Sequence, residues 1–255
     1  MDSRPLKPRE MELGRNLFCS TIGRKLIMAV TGVVLIMFVI GHLVGNLQVF
    51  EDPDRINGYA HFLQSLGPVL WAVRIFLLAC VSLHIWSGIT LALDDKKARG
   101  DEPYEVNRWI RAAFASRYMR STGYIVLAFI IYHIAHFTVG VAQPGTFKTN
   151  IPPYTMRGDY HVLGVTVVRA GTEVLDVRSM VIRGFENPLV SLFYMVAVGL
   201  LSVHLLHGAE SLFQTLGLRS HRWERFLQLV VTAGCAAYFL GNLAIPGAAV
   251  IGLLK

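Results

Sequence analysis

The sequence has little charge and little cysteine, and each shortage argues against a class of protein. Only 16% of its 255 residues are charged, whereas 53% are hydrophobic; a soluble domain usually carries about 25% charge. The three cysteines are scattered and form no CxxC pair, which argues against a zinc site or a cysteine-bound iron–sulfur cluster. A flavin-binding fingerprint is also absent from the sequence. The lipid bilayer is therefore the first environment to consider.

Long apolar runs, by contrast, are plentiful. Five runs reach the roughly 20 residues that a membrane-spanning helix needs, and none shows the alternation of a β-barrel strand. They lie near residues 25–48, 69–93, 121–142, 188–213 and 226–250. We therefore predict an all-α membrane protein with five transmembrane helices in a single integral membrane domain over residues 1–255. The segment before the first run is too polar for a signal peptide, so we expect that run to be retained.

The distribution of basic residues predicts the orientation. With the N-terminus in the cytoplasm, 16 Lys and Arg residues fall on the cytoplasmic side and 7 on the outer side, and five of these 7 lie in one long loop. The positive-inside rule favours this arrangement. We expect a multi-pass protein of the cell's inner (cytoplasmic) membrane, with its C-terminus outside. This role explains the net charge of +7 without a nucleic acid partner.

The connections between the runs carry signals of their own. Asp-Pro and Asn-Gly pairs in residues 51–68 predict turns followed by a short interfacial segment. Residues 94–120 are charged throughout and form a plausible docking face for a soluble partner. In the outer loop after the third run, residues 161–182 alternate around Ala170, Gly171 and Thr172, which predicts a β-hairpin outside the membrane.

Two sequence patterns occur twice, and each contains a histidine. A Thr-Gly pair followed by nine mostly apolar residues leads to His42 in the first run and to His133 in the third. The pattern Ser-x-His-x-x-x-Gly places His84 in the second run and His204 in the fourth. At a helical rise of about 1.5 Å per residue, the first two lie in the outer half of the membrane. The other two lie in the inner half, so repeat and depth indicate the same pairs.

Imidazoles inside a membrane are costly and are generally functional. A single histidine on an apolar face is more often hydrogen-bonded to a neighbouring helix, but four histidines in paired register favour ligation. One histidine from each of two facing helices suits a six-coordinate haem b. We predict that the first four helices form a bundle around two haems, an outer one held by His42 and His133 and an inner one by His84 and His204. We expect the glycines at 45, 88 and 208 to leave room for the macrocycles.

Other polar residues remain open in their roles. His136 and His207 each lie three residues after a predicted ligand, as candidates for a propionate or quinone contact or as ordinary helix–helix hydrogen-bonding groups. Basic residues at the inner boundary could pair with haem propionates or with anionic lipid headgroups; these are Arg24, Lys25, Arg117 and Arg120. Polar residues near the outer haem could bind quinone carbonyls or simply face the interface; these are Asn46, Gln48, Glu51, Tyr59 and His61.

These motifs together resemble a known family, the single-chain, five-helix, dihaem cytochrome b subunit of succinate:quinone oxidoreductases (succinate dehydrogenase or quinol:fumarate reductase). The resemblance covers all five predicted helices. It is carried by GHLVGNLQ at 41–48, NGYAHF at 57–62, YHIAHF at 132–137, NPLVSLFY at 187–194 and HLLHG at 204–208.

The resemblance implies haem ligands at the four aligned histidines and a cytoplasmic face that docks an iron–sulfur subunit, itself bound to a flavoprotein. Electrons would pass from the clusters to the inner haem, the outer haem and then a quinone, for which the resemblance favours menaquinone. Two features depart from the family. Some dihaem fumarate reductases carry a glutamate where this chain has Ser202, so their proposed proton route is not supported, and the loop at 143–187 is longer than expected.

Two other functions fit part of the pattern. The cytochrome b subunit of a hydrogenase or formate dehydrogenase also uses bis-histidine haems, often with two histidines on one helix. Here His133 with His136, or His204 with His207, would have to serve. A haem-free membrane anchor or transporter could instead use its histidines to relay protons.

Overall fold

The computed structural model describes residues 17–100 and 114–254, and the protein is an all-α membrane protein. Five helices in these ranges are long and apolar enough to cross a membrane. They are α1 (Thr21–Leu47), α3 (Pro68–Arg99), α4 (Phe114–His133), α6 (Pro188–Thr215) and α7 (Glu224–Val250). Two shorter helices lie between them, α2 (Pro53–Ser65) and α5 (Val177–Phe185).

The helices begin and end where local chemistry favours it. The Ser20 hydroxyl accepts a hydrogen bond from the Gly23 amide at 3.0 Å and caps α1. Pro68 and Pro188 each stand in the first turn of their helices, where a missing N–H costs nothing. Helix α3 runs past the predicted end near 93 to Arg99, because basic residues in its last turn suit the helix dipole. Residues 101–113 of the predicted docking loop lie outside the described residues.

Helix α4 changes its winding directly after His133. Ile134–Val139 form a π-helical segment, which ends where Gly140 adopts a φ of +85°. A Cβ at Gly140 would lie only 2.4 Å from the Phe147 ring, so both the backbone conformation and the space require glycine. Segments of π-helix are frequent at functional sites.

The five long helices pack as a bundle. Helix α3 packs against α1, and α6 packs against both α4 and α7, while α1 also contacts α6 and α7. The main core contains side chains of α1, α4, α5, α6 and α7. Much of α3 is exposed and apolar, for example Trp71 and Leu78 at 62% and 65% exposure, which suits a helix in contact with lipid.

One end of the bundle carries the longer connections, residues 48–67 and 140–187, and is called the loop end below. In residues 51–68, the prediction of an Asn-Gly turn is wrong, because Asn57 and Gly58 lie in the middle of α2. The Asp-Pro pair instead starts this helix, with Asp52 as the cap and Pro53 in the first turn.

The predicted β-hairpin is present between α4 and α6, but its turn is elsewhere. Strands β2 (Tyr160–Val162) and β3 (Val165–Val168) pair antiparallel around Leu163 and Gly164, which both have positive φ. Residues 170–172 instead connect β3 to β4 (Glu173–Val174), which pairs with β1 (Tyr154–Thr155). The predicted alternation also fails at its end, where Asp176 caps helix α5 by accepting from the Ser179 amide at 2.9 Å.

Candidate functional site

The structure brings His42 and His133 together near the loop end of the bundle. Their ring centroids are 5.7 Å apart and their planes are nearly perpendicular, at 88°. The His42 ring stacks on Phe38 one turn earlier in α1. The His133 ring contacts Phe129 of its own helix and Tyr194 of α6. Aromatic side chains therefore hold both imidazoles from the side.

His84 and His204 have a different kind of support, and it is the same for both. Thr31 Oγ1 of α1 lies 3.2 Å from His84 Nδ1 of α3. Thr122 Oγ1 of α4 lies 3.3 Å from His204 Nδ1 of α6. The two threonines are the matching residues of the internal repeat.

These hydrogen bonds suit one tautomer of each ring. A threonine hydroxyl has one proton to donate, and the Thr31 hydroxyl lies 2.7 Å from the Ile27 carbonyl. Thr122 is within 3.1 Å of the Tyr118 carbonyl in the same way. With each hydroxyl donating to its own helix, its oxygen would accept from an imidazole that carries its proton at Nδ1. The Nε2 lone pair of each ring remains available as a metal ligand.

The spacing of His42 and His133 can be compared with that needed to hold a haem iron between them. A metal–imidazole bond is about 2 Å long, so two ligating nitrogens on opposite sides of one ion stand about 4 Å apart, with ring centres somewhat farther. The 5.7 Å between His42 and His133 is compatible with this. His133 Nδ1 is buried and has no hydrogen-bond partner among the described residues.

Within the described ranges, no group of three or more His, Cys, Asp or Glu side chains could hold a metal ion. A haem iron with two axial imidazoles takes only two ligands from the protein. His42 and His133 would supply donors of that number and type.

His136 packs against neighbouring elements, and its Nε2 has no hydrogen-bond partner among the described residues. It is only 2% exposed, its Nδ1 lies 3.0 Å from the Tyr194 hydroxyl, and its ring stacks on Phe137 at 3.8 Å. Its Nε2 is buried beside Gly184 of α5, where an added Cβ would lie 3.0 Å away. His136 therefore joins α4 to α5 and α6. His207 is partly buried on α6, one turn after His204.

The basic residues at the opposite end of the bundle face acidic residues of α3. Arg24 forms an ion pair with Asp94 at 2.7 Å and donates to the Cys19 carbonyl. Arg120 lies 3.7 Å from Asp95. These aspartates are alternative partners to the haem propionates predicted for the two arginines. Lys25 is exposed beside them.

The quinone candidates lie along the loop end, and most have partners within the chain. Asn46 donates to the His42 carbonyl at 2.7 Å, and Glu51 pairs with Arg55 at 2.9 Å on the surface. Gln48 lies in the 3-10 turn after α1, and His61 is partly buried in α2. Asn46 and Gln48 lie near His42 because they follow it closely in the chain.

Tyr59 occupies the space that Gly45 leaves. A Cβ at Gly45 would lie 2.7 Å from the Tyr59 ring, so the expectation that this glycine makes room for a macrocycle is wrong. Gly88 and Gly208 have more space around an added Cβ. Gly32 and Gly123 instead face the imidazoles of His84 and His204. An added Cβ at each glycine would lie 3.6 Å from Cε1 of the ring.

Sequence reasoning missed two polar junctions at the loop end. The Asp54 carboxylate accepts from the Tyr154 hydroxyl and the Arg157 amide, both at 2.9 Å, and from the Gly158 amide at 2.7 Å. Burial would raise the pKa of Asp54, but these hydrogen bonds outweigh it and lower the pKa. Burial and the bond to Asp54 together raise the pKa of Tyr154 to about 12.

The second junction is Asn57, which is fully buried. It donates to Asp176 at 3.3 Å and accepts from the Arg178 amide at 2.9 Å, so it joins α2 to the start of α5. Beside it, Gly58 packs against Tyr160. A Cβ added at Gly58 would lie only 2.7 Å from the Tyr160 ring. Only the Asn-Gly pair was visible in the sequence, and there it indicated a turn.

Ser202, at the family's glutamate position, bonds its own helix through the Val198 carbonyl at 2.9 Å.

Comparisons with known proteins give one relative of this chain. The succinate dehydrogenase cytochrome b558 subunit of Bacillus subtilis (strain 168) is 25% identical over 201 residues, covering 76% of this chain and 81% of the relative. No protein-family model matches the chain. No solved structure matches it either.

Proposed function

We propose that this protein is the membrane-anchoring cytochrome b subunit of a succinate:quinone oxidoreductase. In this role it passes electrons between an iron–sulfur subunit and a quinone, most simply menaquinone, through two bis-histidine b haems. The observation that carries the proposal is the approach of two membrane histidines from different helices, His42 and His133, whose ring centroids are 5.7 Å apart. The similarity to a succinate dehydrogenase cytochrome subunit supports the same conclusion.

The four histidines have the chemistry that the proposed sites need. A haem with two axial imidazoles supplies one-electron transfer and leaves no open iron position for oxygen. Neutral imidazoles are the required ligands, and the threonine contacts of His84 and His204 are made at Nδ1, which leaves Nε2 free. His42 and His133 would hold the haem nearer the loop end, and the other pair would hold the second haem.

The remaining polar residues take supporting roles in the proposal. Arg24, Lys25 and Arg120 would face the propionates or lipid headgroups at the end where the iron–sulfur and flavoprotein subunits dock. Asn46, Gln48, Glu51, Tyr59 and His61 surround the other end, where a quinone would bind. His136 and His207 lie beside the two ligand pairs and would shape their surroundings.

The hydrogenase or formate dehydrogenase reading is less well supported by the geometry. That class often uses two ligands on one helix, so His136 would have to serve beside His133, or His207 beside His204. His136 is already bonded to Tyr194 through Nδ1, and its Nε2 lies against α5 at Gly184. A haem would have to displace that helix.

The first prediction concerns haem content. The purified complex is expected to show b-type α-bands in a reduced-minus-oxidised spectrum, with two haems per chain by pyridine haemochrome. His42→Ala and His133→Ala should each remove one haem, and the same one. His161→Ala, in the exposed hairpin, should keep both. Absence of a b-type band in the unaltered protein would disprove the haem proposal, and loss of different haems would disprove the pairing.

Co-purification then separates the enzyme classes. An affinity tag on this chain is expected to bring down a flavoprotein and an iron–sulfur subunit together with succinate dehydrogenase activity. Recovery of a nickel–iron or molybdenum subunit instead would favour the hydrogenase or formate dehydrogenase reading. Recovery of the chain alone with no haem would favour the haem-free anchor.

A further inference from the structure

We propose that the two Thr-Gly pairs, Thr31-Gly32 and Thr122-Gly123, position His84 and His204 as ligands of one haem, so that each copy of the internal repeat serves both haem sites. The repeat ends in His42 or His133, which belong to the other site. The inference rests on the proposed function and assigns two positioning residues, Thr31 and Thr122, to its inner haem.

The argument begins with the equivalence of the two contacts. The threonine-to-imidazole distances are 3.2 Å and 3.3 Å, although the partners lie on different pairs of helices. In each copy the glycine next to the threonine faces Cε1 of the same imidazole, 3.6 Å from an added Cβ. Two residues of one helix therefore contact one ring of the neighbouring helix, and the arrangement occurs twice.

The direction of the hydrogen bond gives the contact a chemical role. With each hydroxyl donating to its own helix, it would accept from Nδ1–H of the imidazole. Such a bond fixes the tautomer and the rotation of the ring and makes Nε2 more basic. A more basic axial ligand stabilises the oxidised iron, so the bond lowers the reduction potential of the haem that the ring holds.

The glycines set the distance at which the ring sits. An alanine methyl at position 32 or 123 would just touch the imidazole at 3.6 Å, whereas a branched side chain would push it away from the threonine. Thr31 and Thr122 are themselves only 5% and 3% exposed. Their hydroxyls therefore act in a buried setting, where water cannot replace the lost acceptor.

The same helix thus contributes to two sites. Helix α1 provides His42 to one site and Thr31 to the other, eleven positions earlier. Helix α4 does the same with His133 and Thr122. It follows that changes at Thr31 and Thr122 should affect a single common haem, the one that His84 and His204 hold.

The test uses the purified complex with its haems. Redox titration gives the midpoint potential of each haem, and electron paramagnetic resonance gives the low-spin signal of each haem. His84→Ala first identifies the haem in question by its loss. Thr31→Val and Thr122→Val, which replace the hydroxyl with a methyl, should each raise the midpoint potential of that haem and shift its signal. The other haem should keep its potential.

Matched variants separate positioning from packing. Thr31→Ser and Thr122→Ser keep the hydroxyl and should return the potential to that of the unaltered protein. Thr90→Val removes a hydroxyl from α3 that bonds its own helix at Trp86 and is not bonded to an imidazole, so it should shift neither haem. Thr31→Ala provides a smaller replacement if the valine variant fails to assemble.

Three results would overturn the inference. The first is an unchanged midpoint potential in Thr31→Val or Thr31→Ala, and the second is a shift in the potential of the other haem. The third is an equal shift in Thr90→Val. Two haems in the unaltered protein would leave the proposed function standing in each of those cases. Absence of haem from the unaltered protein would instead refute the proposed function itself.

Discussion

Single glycines on α1 differ in what surrounds them, although they look alike in the sequence. Gly41 has no neighbouring atom within 4 Å of an added Cβ, whereas at Gly45 the Cβ would meet the Tyr59 ring at 2.7 Å. One turn of helix therefore separates a glycine with open space from one that accommodates an aromatic ring. Tyr59 in turn fixes α2 against the end of α1.

This difference predicts opposite effects of the same substitution. Gly41→Ala should leave thermal stability in detergent unchanged or raise it by up to about 1 kcal/mol, since alanine favours a helix over glycine. Gly45→Ala should lower stability by about 1–3 kcal/mol, because the ring must move. The comparison is made by thermal unfolding with haem retention as the second readout. Equal effects of the two variants would contradict the packing of Tyr59 on Gly45.

Among the elements, the segment between α4 and α6 depends on α2. Asp54 accepts three hydrogen bonds from residues 154–158, and Asn57 joins the start of α5. A small cluster of buried side chains, Met156, Tyr160, Val168 and Val174, lies under these strands. The loop end is therefore an ordered unit built from two connections that are distant in the sequence.

The lowered pKa of Asp54 makes this unit sensitive to acid. Because the folded-state pKa lies below its ordinary value of 3.8, the carboxylate stabilises the unit above that value, and the contribution is lost as pH falls through the folded pKa. Asp54→Asn should cost about 1–2 kcal/mol at pH 7 and flatten this dependence. Hydrogen exchange of residues 154–174 between pH 3 and 7 measures it.

Glu173→Gln is the matched control, since it removes a negative charge from an exposed site in the same loop. It should leave the exchange rates and their pH dependence close to those of the unaltered protein. If Asp54→Asn behaves in the same way, the three hydrogen bonds do not stabilise the unit.

The short connections show which elements the sequence could predict. The alternation in residues 161–168 correctly indicated a hairpin, but Ala-Gly-Thr at 170–172 was a better turn signal than Leu163-Gly164. A leucine with a φ of +50° is unfavourable on its own, so no propensity rule would select it. Similarly, Asn57-Gly58 is typical of a turn, but the contacts of Asn57 with α5 keep it in a helix.

For the molecule as a whole, the distribution of charge leads to a proposal about orientation. The end opposite the loop end carries Arg24, Arg120 and the basic last turn of α3, and we propose that it faces the cytoplasm. The loop end and the C-terminus would then lie outside.

This orientation predicts the result of reporter fusions. Alkaline phosphatase fused after residue 255 should be active, since it needs an oxidising compartment for its disulfides. A fluorescent protein fused at the same position and exported by the same route should not fluoresce. Fusions in the 216–223 connection should give the reverse. An active phosphatase at 216–223 with an inactive one after 255 would show that the protein is inserted the other way.

The sequence by itself determined the five spans, their order and the four histidines, because apolar length and internal repetition do not depend on tertiary contacts. It also identified the two Thr-Gly pairs, although only as markers of the repeat. What the threonines contact was decided by the tertiary structure, since a hydrogen bond from α1 to α3 depends on how the two helices are rotated against each other. The same holds for Gly45, Asp54 and Asn57, whose partners lie on segments that only the folded chain brings together.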